Sequence, residues 1–112
     1  MSAIVLGNLV VDPDRYAVWV NDSEIPLTFL EFELLFALAE HPDHLVTRAE
    51  LVARAWRGHR VTGERPLNIQ ITRLRKKLVG THPWALTTVR KRGYLLRNRE
   101  SARPDGGPMA DS

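Results

Sequence analysis

The 112-residue sequence contains no cysteine, which excludes disulfide staples and thiolate metal sites and is compatible with a reducing compartment. No apolar run approaches the roughly 18 residues of a membrane-spanning helix, so no membrane partner is expected. The opening MSAIVLGNLVVDPD lacks the basic stretch of a secretory signal, and a cytoplasmic protein is the expectation. Catalytic groupings are missing too. His41 and His44 stand three residues apart with no third ligand beside them, short of a tetrahedral metal site. His59 and His82 fall in expected loops beside no nucleophile. Glu31 and Glu33 read as capping and helix-surface residues rather than an acid–base pair. No enzyme, cofactor or metal is expected.

What is present fits one compact domain. Hydrophobic residues make up 44% and charged residues 26%, close to the globular average, so a packed core is expected. The net charge of +3 is unevenly placed. Residues 1–50 carry two cations against nine carboxylates, a net −7, and residues 51–112 carry fourteen against four, a net +10. Such a split points to a polyanion-binding half and an acidic half that faces elsewhere.

The first segment is strand-like. AIVL, LVVD, YAVWV and EIPL are rich in β-branched and aromatic residues, and Gly7-Asn8, Asp12-Pro13-Asp14 and Asn21-Asp22 punctuate them. They predict about four short antiparallel strands over residues 3–27. The period then changes. Thr28-Phe29-Leu30-Glu31 is a capping box, followed by Phe32, Leu35, Phe36 and Ala39 at helical spacing, with Pro42 stopping the helix near His41. After the extended link Leu45-Val46-Thr47, a second capping box, Thr47-Arg48-Ala49-Glu50, opens a helix with Leu51, Val52 and Ala55 inward and Trp56 closing it. A loop, Arg57–Gly63, precedes a third helix that starts around Glu64–Pro66 and ends near Val79-Gly80. Ala85–Leu96 predicts a hairpin with a basic tip. Trp19, Trp56 and Trp84 are expected as core or interface aromatics.

The third helix separates into two faces. Taking Leu67 as zero, Ile71, Leu74 and Leu78 fall within about 40° and form a buried stripe. The opposite side holds Arg65, Ile69, Thr72, Arg73 and Lys76, flanked by Gln70, Arg75 and Lys77. A charged outer face on an amphipathic helix is ordinarily only solvated. Here, however, no acidic residue follows Glu64 on that face, so i,i+4 pairing does not neutralise it. Ile69 also points outward, where a thymine methyl could cover it, and Arg73 can bond a guanine edge bidentately. The tip Arg90-Lys91-Arg92-Gly93 sets three cations side by side, which repel unless an anion is near, and a narrow minor groove attracts Arg. Neither helix nor tip carries a stacking aromatic, which argues against RNA.

The order of elements, with LTFLEFELLFALAEHP (Leu27–Pro42), VTRAELVARAW (Val46–Trp56), RPLNIQITRLRKKL (Arg65–Leu78) and TTVRKRGYLL (Thr87–Leu96), resembles the winged-helix effector domain of OmpR/PhoB-type response regulators. The resemblance implies an α+β fold: a winged helix-turn-helix with an N-terminal antiparallel four-stranded sheet, three helices and a C-terminal hairpin wing. The domain would occupy residues 1–97, with a disordered tail over 98–112. The implied function is sequence-specific binding of double-stranded DNA in the transcriptional regulation of a two-component system. Arg65–Leu78 would lie in the major groove and the wing in the minor groove.

By the same resemblance, bases are read by Asn68, Ile69, Thr72 and Arg73. Phosphates are held by Arg65, Arg75, Lys76 and Lys77, and the wing contributes Arg90, Lys91 and Arg92. Helical phase alone selected Ile69, Thr72, Arg73 and Lys76; Asn68 comes only from the resemblance. Loop Arg57–Gly63 occupies the place that contacts RNA polymerase in some relatives, and a head-to-tail dimer on DNA is the implied assembly. Three positions depart from the family pattern. Asn68 stands where Asp is frequent, Gln70 where His is frequent, and Lys91 where Gly is common in the wing. No phosphoacceptor receiver motif accompanies the four motifs. The competing expectation is a winged-helix protein–protein module that works through its acidic sheet and first-helix face.

Overall fold

The computed structural model of the chain describes residues 2–57 and 59–100. Four short strands come first: β1 (Ile4–Leu6), β2 (Leu9–Asp12), β3 (Ala17–Val20) and β4 (Ser23–Glu24). They pair antiparallel in sequence order. Alternation sets the buried face, with Leu9, Val11, Val18 and Val20 inward. Asn21 and Asp22 sit at φ +52 and +66 between Val20 and its partner Ser23. Two consecutive positive φ values are what a two-residue hairpin prefers, and Asn and Asp tolerate them. The expected strand EIPL is shorter than its composition implied. The fourth strand stops at Glu24, because Pro26 has no N–H to continue the ladder.

Both capping boxes form as expected. Helix α1 (Phe29–Ala39) is capped by Thr28, whose Oγ1 accepts from Glu31 N–H while Glu31 accepts from Thr28 N–H at 2.8 Å. Helix α2 (Arg48–Ala55) repeats the device with Thr47 and Glu50. Helix α3 runs Arg65–Lys77 with Pro at its start, and Gly80 beyond it takes φ +101. In α2, Leu51 and Ala55 are buried while Val52 and Trp56 are half-buried against the core. Trp84 packs there too.

Helix α1 occupies the centre. Every residue from Glu31 to Ala39 is buried, because α1 touches β2, α2, α3 and the last strand at once. The second sheet orders the short strand β5 (Val46–Thr47), then β7 (Gly93–Asn98), then β6 (Trp84–Val89). Gly93 is required where β5 meets β7. A Cβ there would collide with the backbone carbonyl of Val46. That approach joins the hairpin to the start of α2, where Arg48 N–H also bonds Arg92 O at 3.3 Å.

The ordered edge passes the expected boundary at residue 97. Asn98 closes β7, and its N–H bonds Asp43 Oδ1 at 3.0 Å. Most of the expected disordered tail, 101–112, lies outside the described residues. Among the described residues no helix is long and apolar enough to cross a membrane.

Candidate nucleic-acid interface

The phase reading of α3 agrees with its burial. Leu67, Ile71, Leu74 and Leu78 are at most 5% exposed, whereas Ile69 stands 37% exposed. The outward residues do more than share a side. Arg65, Asn68, Ile69, Thr72, Arg73 and Lys76 line one shallow open concavity along α3. Thr72 donates its hydroxyl proton to Asn68 O at 2.8 Å, so its lone pairs and methyl face outward.

Asn68 is held from behind. Its Oδ1 accepts from Arg48 Nη2 at 2.9 Å and from the Tyr94 hydroxyl at 3.0 Å. Arg48 also reaches Tyr94 through Nη1 at 3.0 Å, which links α2, strand β7 and the outward face of α3. No signal in the sequence marked this triad. The type of each residue was visible, but the pairs are separated by 20, 26 and 46 positions.

Arg75 leans toward the hairpin, with Nη2 2.8 Å from Thr88 Oγ1. Lys77, expected among the phosphate-binding cations, is turned to another partner: its Nζ lies 2.7 Å from Glu31 Oε1. Helical phase left it on the flank, and the buried carboxylate across the core decides its direction.

At the hairpin tip, Arg90, Lys91 and Arg92 are exposed. Lys91 takes φ +65, so the turn keeps a left-handed conformation although the side chain is not glycine. Among the described residues, the side chains of Arg65, Arg73, Lys76, Arg90, Lys91 and Arg92 form no hydrogen bond or ion pair.

The acidic residues of α1 behave differently. Glu33 is not on a helix surface. It is 1% exposed, accepts a hydrogen bond from the Tyr16 hydroxyl, and pairs with Arg57 Nη2 at 2.7 Å and Arg54 Nε at 3.6 Å. Arg54 also binds Glu40 at 2.8 Å. Glu31 is buried as well. Burial pushes its carboxyl upward in pKa, but the Lys77 ammonium and the Thr28 N–H outweigh this and hold it below the ordinary carboxylate value. The first-helix part of the expected acidic face therefore does not form, since Glu31 and Glu33 are buried and Glu40 pairs with Arg54; on the sheet side Asp14, Asp22 and Glu24 remain exposed. No group of three or more His, Cys, Asp or Glu able to hold a metal occurs among the described residues.

Comparison with known proteins agrees with this geometry. The family model described as "Transcriptional regulatory protein, C terminal" matches residues 22–96. The chain belongs to that family, a family of transcription regulators and not of enzymes. It is 38% identical over 98 residues to the transcriptional regulatory protein RstA of Escherichia coli (strain K12), a match that covers 85% of this chain and 41% of RstA. The chain thus spans well under half of that relative.

Among solved structures, the DNA-binding domain of CpxR from E. coli superposes with a TM-score of 0.76 at 32% identity, covering 88% of this chain and 99% of the other. The RstA DNA-binding domain of Klebsiella pneumoniae, solved in complex with the RstA box, gives 0.75 at 30% identity, with the same coverages. The fold is therefore that of winged-helix DNA-binding domains of response regulators.

Proposed function

We propose that this chain binds double-stranded DNA in a sequence-specific way to regulate transcription, with α3 in the major groove and the β6–β7 tip in the minor groove. The observation that carries this reading is the α3 concavity, lined by three cations without an intramolecular partner among the described residues, an exposed Ile and hydrogen-bonding Asn68 and Thr72. A B-DNA major groove admits one helix and offers base edges and thymine methyls that match this set. Asn68, Ile69, Thr72 and Arg73 are the base readers in this account. Arg65, Arg75 and Lys76 hold phosphates, and Arg90, Lys91 and Arg92 serve the wing.

Two further assignments follow the family. Loop Arg57–Gly63 would touch RNA polymerase, and two copies would lie head to tail on a direct repeat. Such a protein works where the DNA is, in the cytoplasm. The test is binding to random duplexes across a salt series. About five to seven phosphate contacts give log K against log[salt] a slope on the order of −5. A flat response, or no binding to duplex DNA at low salt, removes the reading.

A further inference from the structure

We propose that Asn68 meets DNA as a hydrogen-bond donor only, so that the base it reads must present an acceptor in the major groove, which excludes cytosine. The inference rests on the DNA-reading role given above and deepens it. The two groups behind Asn68, Arg48 and Tyr94, fix which end of its amide faces them. A guanidinium has five N–H donors and no acceptor. Arg48 Nη1 donates to the Tyr94 hydroxyl oxygen at 3.0 Å, so the Tyr94 proton is directed elsewhere, and Asn68 Oδ1 lies 3.0 Å away to receive it. Arg48 Nη2 places a second proton on the same oxygen at 2.9 Å, while another contact holds the guanidinium to Glu64 O at 3.2 Å.

An amide turned the other way would set its NH2 against two donors, one of them on a cation. The orientation is therefore enforced, with both lone pairs of Oδ1 occupied. Tyr94 is 4% exposed and lies on β7 at the register opposite Val46 and Thr88, so the clamp is backed by the sheet. Both clamp bonds go to Oδ1, which leaves Nδ2 without a bond to any described residue, on a side chain that is exposed and lines the concavity.

This geometry separates two outcomes that the residue type alone leaves open. Asn commonly pairs with adenine bidentately, giving an N–H to N7 and taking one from N6. That second bond needs a vacant carbonyl oxygen, which Asn68 lacks. What remains is a donor, matched by O6 or N7 of guanine, N7 of adenine or O4 of thymine, but by no atom of cytosine, which offers the groove only its N4 donor. Arg48 and Tyr94 are positioning residues that set the readout from behind without touching the base.

The experiment selects bound sequences from random duplexes with the wild type, Asn68→Asp and Tyr94→Phe. Asn68 is exposed, so Asn68→Asp should melt like the wild type. One carboxylate oxygen then takes the two clamp donors and the other faces the groove as an acceptor. The expected result is a reversal at one base-pair position, where cytosine is rejected by the wild type and favoured by Asn68→Asp, by about tenfold. Tyr94→Phe should blur that same position and leave the others unchanged, which a general loss of stability would not do.

If the wild type selects a defined site and Asn68→Asp alters no position in it, the donor-only role is wrong while DNA reading stands. A wild-type site that demands the N6 amino group of adenine opposite Asn68 overturns it equally. If the wild type selects no sequence at all, the DNA-reading role itself fails, and the inference goes with it.

Discussion

Helices α1 and α3 both mix charge with apolar residues, yet the structure uses their charges in opposite ways. In α1 the two glutamates are buried, and each draws a cation inward: Lys77 to Glu31, and Arg54 and Arg57 to Glu33. In α3 and the hairpin tip, six cations have no such partner among the described residues. The difference teaches how to read the charge split of the sequence. Its acidic half is only partly an acidic surface: Glu31 and Glu33 are buried with cationic partners, whereas Asp14, Asp22, Glu24, Asp43 and Glu50 stay exposed. Its basic half keeps much of its charge outside, where it costs mutual repulsion unless a polyanion offsets it.

The strongest test of this contrast is Lys77→Met, which leaves Glu31 without its cation in the core. A buried carboxylate stripped of its partner is costly, and a loss of about 3 kcal/mol in urea unfolding is expected. DNA affinity of the folded fraction and its salt slope should stay unchanged; a lower slope would return Lys77 to the phosphate-binding set.

The pH dependence sharpens the same point. Because Glu31 has a lowered pKa in the folded state, its contribution is present above the ordinary carboxylate value of about 4.3 and fades as pH falls through the folded value. The stability gap between wild type and Glu31→Gln should therefore be widest near neutrality and close on acidification below about pH 4. A gap that widens toward acid would show that Glu31 is not held as a carboxylate.

On the other side of the comparison, Arg73→Ala should leave the melting temperature intact and cost about 1–3 kcal/mol of specific affinity, relaxing preference at one position. Equal weakening on every sequence would make Arg73 a phosphate contact instead. Arg90→Ala is a smaller and more uniform change, seen as a salt slope shallower by about one. The smallest effect belongs to Lys91→Gly. Releasing a non-glycine side chain from φ +65 should stabilise the fold by roughly 0.5–1 kcal/mol, while DNA binding weakens slightly through the lost charge.

Local signals carried well from sequence to structure. Thr28 with Glu31 and Thr47 with Glu50 form both capping boxes because each partner lies within one turn of the other. Leu67, Ile71, Leu74 and Leu78 are buried because helical period sets their common face whatever they pack against. The ladder ends after Ile25, whose N–H still bonds Val18 O at 2.8 Å, because Pro26 has no N–H to extend it and outweighs its neighbours' β-propensity. Glu33 was misread, since α1 contacts protein on every side and the helix pattern cannot show how many sides are covered.

By itself, then, the sequence determined the element order, the two helix starts, the buried stripe of α3 and the outward position of Ile69, Thr72 and Arg73. These depend on neighbours within a few residues along the chain. Only the tertiary structure decided that Glu33 lies inside, that Lys77 turns to Glu31, and that Arg48 and Tyr94 hold Asn68 by its oxygen. Those outcomes join residues 20 to 46 positions apart. Burial and hydrogen-bond supply there are set by which surfaces the fold brings together, and no local period encodes that.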